Sequence, residues 1–120
     1  MEAKEIIEAF GKLLISDVRD HTIETFDGML QGTIKGITAQ KIQEKIKTFD
    51  QEQMDALEWM VPQIVDLCLH NMLWMAEQQE DITLLFQGTE LREESDGLAG
   101  ELYTEDGWIQ KYSSQRYEEI

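Results

Sequence analysis

Cysteine is nearly missing from this sequence. Its 120 residues include one, Cys68. A lone cysteine excludes an intramolecular disulfide framework and a cysteine-based zinc finger, and it fits a reducing compartment. One proline and eight glycines exclude collagen-like and proline-rich architectures. Long apolar runs are lacking too. Leu13-Leu14-Ile15 is typical, against the roughly 20 residues needed to span a bilayer. Glu2, Glu5 and Glu8 stand where a secretory leader has bases followed by an apolar stretch, and neither end carries a lipidation signal. The expectation is a cytoplasmic protein. Phosphate loops, dinucleotide-binding glycine fingerprints, nucleophile-elbow serines and zincin motifs are all absent, so the reading leans to a non-catalytic protein with no cofactor.

Positive charge is the other scarcity. Ten bases stand against 25 acids, a net charge of −15. The imbalance is local. Residues 48–106 hold fifteen acids and one base, Arg92, whereas residues 1–47 and 107–120 are close to neutral. Such a field repels phosphate backbones and anionic lipid, which argues against nucleic acid or membrane as direct ligand. It attracts basic proteins and metal cations and speeds encounter with them.

What is there is an ordinary globular composition, 42% apolar and 29% charged, too apolar for a disordered chain. The length suits one domain, residues 1–120. Residues 2–31 read as a helix, with Ile6, Phe10, Leu13, Leu14 and Val18 recurring at three- and four-residue steps. Gly11 interrupts it at a cost of about 1 kcal/mol against alanine. Gly28, Gly32 and Gly36 read as termination and a connection. Thr38 is placed as the cap of a second, shorter helix, with Ile37 and Ile42 as its hydrophobic staple. That helix carries Lys41 and Lys45, the one basic strip.

Asp50 is a good cap for the longest helix, with Gln53 at the capping-box position and Phe49 and Met54 as staple. Met54, Leu57, Val61, Ile64, Val65, Cys68 and Met72 follow a helical period on to Met75, which places Cys68 in the core as a packed thiol. Leu69, Leu73, Trp59 and Trp74 widen the apolar surface, so this helix is expected to be central and touched on more than one side. Pro62 inside it predicts a kink or restart near residues 60–62. The helical pattern ends near Asp81. Residues 82–86 fit a strand or one more helical turn, residues 88–100 a polar loop, and residues 102–109 a hairpin with Gly107 left-handed in its turn. The fold class is α+β: a predominantly helical part over residues 1–81 and a small β element with loops over 82–120, with all-α as the alternative.

Two sets of residues are candidate sites. Glu90, Glu93, Glu94, Asp96, Glu101, Glu105 and Asp106, with Tyr103 as an aromatic anchor, form an acidic surface of the kind that receives a basic protein. That makes the leading reading a protein-binding module, an inhibitor or immunity-type protein that neutralises a basic partner. Asp17 with His21, and Asp66 with His70, pair a carboxylate with an imidazole four residues apart on two helices. Brought together, these four have the chemistry to hold zinc, manganese or iron, which gives a metal-binding protein or enzyme as the alternative. They do not match the di-iron pattern of Glu-x-x-His pairs. A third reading is a homodimeric scaffold in which the Lys41/Lys45 strip faces the acidic half of a second copy.

Overall fold

The computed structural model describes residues 2–118. The chain is mostly helical, with one two-stranded antiparallel sheet. The first helical stretch runs unbroken from residue 3 to 31, as α1 (Ala3–Leu14), a π-helical turn (Ile15–Asp20) and α2 (His21–Gln31). The π turn resets the helical phase. Burial passes from Leu14 and Ile15 to Arg19 and Asp20, a five-residue step, and then to Ile23, while Leu13 and Val18 face solvent. The expected stripe is right at Ile6 and Leu14 and wrong at Val18 for this reason, since a π bulge inserts one residue into the period; Leu13, ahead of the turn, is exposed as well.

Gly32, at φ 77°, ends α2 in the left-handed conformation, and the Thr33 N–H reaches back to the Gly28 carbonyl at 2.9 Å. This is the helix stop that the glycine spacing predicts. The next helix, α3 (Ile37–Ile46), begins two residues earlier than expected. Gly36 is its N-cap and no side chain caps it, so Thr38 lies inside the first turn. Lys41 and Lys45 are exposed and form no ion pair among the described residues.

The longest helix, α4 (Gln51–Gln78), has the expected start. The Asp50 carboxylate accepts from the Gln53 N–H at 2.8 Å, and the Gln53 amide oxygen accepts from the Asp50 N–H at 2.9 Å. No restart occurs at Pro62. Proline leaves the carbonyl of the residue four earlier without its helical donor, and here the Arg116 guanidinium supplies two, Nη2 at 2.7 Å and Nε at 3.0 Å from Glu58 O. Arg116 also clamps Asp27 at 2.7 and 3.0 Å. The C-terminal segment thereby straps α2 to α4.

Contrary to expectation, α4 is buried along one face only. Pro62, Asp66, Leu69, Leu73 and Ala76, spaced 4-3-4-3, point inward, with Val61 beside Pro62. Trp59, Met60, Ile64, Leu67, Met72, Trp74 and Met75 are exposed, and so is Cys68. Cys68 is therefore not a packed core thiol.

The β element sits at residues 85–90, not at 102–109. Strands β1 (Leu85–Phe86) and β2 (Thr89–Glu90) pair antiparallel, Leu85 opposite Glu90 and Phe86 opposite Thr89. Gln87 and Gly88 form the two-residue loop, both at positive φ (52° and 79°), as a type I′ hairpin requires. The chain continues through a short helix α5 (Leu91–Glu94), a 3-10 turn (Ala99–Leu102) and helix α6 (Trp108–Tyr112). Gly107 is not left-handed. It is the N-cap of α6 at φ −76°, and a side chain there would overlap the Tyr103 carbonyl. The positive φ falls on Thr104, at 75°. One cluster joins α1, the π turn, the inner face of α4 and the C-terminal third, with Ile15, Leu73, Leu91, Leu98, Leu102 and Trp108 fully buried in it. No helix among the described residues is long and apolar enough to cross a membrane.

Candidate functional site

The π turn aims Arg19 into the protein, where its side chain has no exposed surface. Asp66, on the inner face of α4, receives it in a two-pronged pair, Nε to Oδ1 at 2.5 Å and Nη2 to Oδ2 at 3.2 Å. Nη1 donates to Ser113 Oγ at 2.8 Å and approaches Asp20 Oδ1 at 3.4 Å, while Nη2 also reaches the Arg116 carbonyl at 3.0 Å. The Tyr117 ring lies 5.5 Å from the guanidinium carbon. Asp20 is filled in turn by the Ser114 N–H and the Ser113 hydroxyl, each at 2.7 Å. Every donor direction used here ends on a protein oxygen, so the cluster joins three chain segments and leaves Asp66 committed to Arg19. Sequence reasoning missed Arg19. Its signal was there: Ile15, Arg19 and Ile23 form a four-residue row with the base in the middle.

The structure does not assemble the four metal candidates. Among the described residues no group of three or more His, Cys, Asp or Glu side chains is placed to hold a metal ion. Asp17 is exposed and accepts from its neighbour Ser16 Oγ at 2.9 Å, and His21 is exposed as well. Asp66 serves Arg19. His70 packs its ring against Tyr103 with centroids 5.8 Å apart. Four-residue spacing sets side chains on one helical face, but the first pair faces solvent while Asp66 faces the core, so the two pairs do not share a site.

The acidic residues of the last third stand on short helical turns and on the bends between them rather than in one long loop. Leu91, Leu98, Ala99, Leu102 and Trp108 are all buried, and they pin the segment between them to the core. From this frame Glu93, Glu94, Asp96, Glu105 and Asp106 project into solvent. Arg92 lies 3.6 Å from Glu90 and 4.0 Å from Glu93, and its Nη1 donates to the Gln79 carbonyl at 2.7 Å, closing off the end of α4. Glu101 is half-buried and accepts from Ser95 Oγ at 3.3 Å. Burial raises its pKa, and the nearby charges of Glu8 and Asp96 add to the rise. Tyr103 is half-buried; burial and the Asp66 charge push its hydroxyl pKa up.

A second polar node closes α1 onto α6. The Glu8 carboxylate accepts from the Trp108 indole N–H at 3.1 Å, the Tyr112 hydroxyl at 2.7 Å and the Lys111 ammonium. Burial pushes the Glu8 pKa up, but the hydrogen bonds from Lys111, Tyr112 and Trp108 outweigh it and hold it below the ordinary 4.5. A carboxyl whose pKa is depressed by folding adds stability above its unfolded pKa and loses that addition as pH falls through the folded value. Glu8→Gln is expected to cost about 1 kcal/mol at neutral pH, held to that size by partial solvent exposure. The gap between wild type and variant should shrink as the pH drops below about 4.5. Urea melts at a series of pH values measure it, and a gap that stays constant down to acid pH would refute the assignment.

Comparison with known proteins does not extend this picture: no protein-family model, curated protein or solved structure matches the chain.

Proposed function

We propose that this protein is a cytoplasmic, non-catalytic binding module that engages a basic protein, in the manner of an inhibitor or immunity protein. The observation that carries this reading is the pinned acidic segment. Glu93, Glu94, Asp96, Glu105 and Asp106 are exposed on a backbone anchored at five buried apolar positions between Leu91 and Trp108. A fixed array of like charges can meet complementary charges without ordering itself first, which removes one cost of binding. The field of a chain with net charge −15 also speeds encounter with a cationic surface. Tyr103 stands half-buried within the same stretch as an anchor.

The test starts from affinity capture with the full chain in its native host. The association rate of the captured partner is then measured against salt. The rate is expected to fall about tenfold or more between low and high ionic strength. Joint reversal of Glu93, Asp96, Glu105 and Asp106 to lysine should lower it similarly at low salt. An association rate indifferent to both changes would refute the reading.

A further inference from the structure

The outer face of α4 is an unpartnered apolar seam. Met60, Ile64, Leu67, Asn71 and Trp74 succeed one another at 4-3-4-3 spacing, the a and d positions of a heptad repeat. They lie opposite the inward row of Pro62, Asp66, Leu69, Leu73 and Ala76. Ile64 is 66% exposed, Leu67 60% and Trp74 50%. Exposed Met75 and Cys68 widen the strip. From Trp59 to Ala76 the only charged side chain is Asp66, which is buried. In a chain with 29% charged residues, five turns of helix without one exposed charge form a patch larger than isolated surface apolars account for.

Charge decides what covers it. A basic amphipathic helix would need carboxylates along the two flanks of the seam to meet its lysines and arginines. The flanking positions are Val61, itself buried, Cys68 and Met75 on one side and Gln63, His70 and Glu77 on the other, with one carboxylate among them. A second copy of the same acidic chain needs the reverse, flanks that bring no like charges together, and these flanks meet that need. Closed two-fold pairing through one self-complementary patch is also the commonest form of oligomer.

We propose that the protein forms a homodimer by packing α4 against α4 of a second copy along Met60, Ile64, Leu67, Asn71 and Trp74. Asn71 is the one polar residue inside this row, a position where a polar side chain sets register at some expense of affinity. The 3-10 turn at Ala99–Leu102 contacts α4 from the core, so the pinned acidic segment belongs to the other side of the helix. The dimer stands independently of the proposed basic partner. The two associations also respond oppositely to salt. Binding of a cation-rich protein weakens as salt rises, whereas pairing of two copies that each carry −15 tightens, because screening relieves their repulsion.

Sedimentation equilibrium on the full chain from about 1 to about 200 μM covers the range in which a modest apolar interface dimerises. Wild type is expected to be a dimer in that range and to associate more tightly at high salt. Leu67→Glu and, separately, Ile64→Lys should weaken association about a hundredfold or more, since each places unpaired charges in a closing apolar seam. Both sites are exposed in the single chain, so circular dichroism of the monomeric variants should match wild type. A wild-type chain that stays monomeric at about 200 μM would overturn the proposal. So would a dimer that both variants leave intact.

Discussion

Asp66→Ala is expected to cost about 3–5 kcal/mol, a large part of the stability of a domain of this size. The reason is what it leaves behind. Arg19 has no exposed side-chain surface, and its two-pronged bond to Asp66 is its shortest, at 2.5 Å. Without Asp66 the guanidinium keeps Asp20 at 3.4 Å, Ser113 at 2.8 Å and the Arg116 carbonyl at 3.0 Å. Those contacts hold the charge only in part, because Asp20 already accepts from Ser113 and Ser114. Breaking a buried pair from one side costs far more than replacing both partners with apolar residues of similar volume. The double variant Arg19→Met with Asp66→Leu should therefore recover most of the loss. Urea denaturation followed by circular dichroism measures all three proteins. A loss under about 1 kcal/mol for Asp66→Ala would mean that water reaches Arg19 in solution.

The fate of Asp66 also shows where the sequence is legible and where it is not. Several local signals hold. The Asp50–Gln53 capping box forms as expected, the helix over residues 2–31 keeps its bounds, and Gly32 ends it in the left-handed conformation. Each is settled by atoms within one turn of backbone. Some failures are local, at the Thr38 cap and at the hairpin and left-handed Gly107 expected over residues 102–109; the others turn on which side of an element faces inward. On α4 the row of Met60, Ile64, Leu67, Asn71 and Trp74 and the row of Pro62, Asp66, Leu69, Leu73 and Ala76 share one spacing, so periodicity cannot choose between them. By apolar content the outer row looks the better core. The inner row is inside because Asp66 is neutralised by Arg19, a base 47 residues away. The same blindness made Asp66 a metal candidate and Cys68 a core thiol. Arg19 stands in a four-residue row with buried Ile15 and Ile23, but nothing near it in sequence marks Asp66 as its partner. Of the candidate site, the exposure of Glu93, Glu94, Asp96, Glu105 and Asp106 is as read, and the hairpin meant to carry the last two is not.

The missing hairpin leads to the second large effect, at Gly11. Read alone, this glycine is a defect in α1, and Gly11→Ala should gain about 1 kcal/mol of helix stability. In the folded protein the Trp108 indole lies against it so closely that a Cβ would overlap the ring. Trp108 is fully buried, with its ring 5.9 Å from that of Phe10 and its N–H on Glu8 at 3.1 Å. It reaches this slot because residues 108–112 are helical. Gly11→Ala in wild type is therefore expected to destabilise by about 2 kcal/mol, overpacking minus the propensity gain. Trp108→Ala should cost about 3–5 kcal/mol by emptying the slot. In the Trp108→Ala background the overlap is gone, and Gly11→Ala should become neutral or stabilising by up to about 1 kcal/mol. This change of sign is the decisive readout, because two independent residues would add. If Gly11→Ala destabilises both backgrounds equally, Trp108 does not occupy the Gly11 face of α1, and the helical path of residues 108–112 that puts it there is wrong. If the sign reverses, the glycine that weakens the helix as a local sequence is the residue that admits the largest side chain of the core.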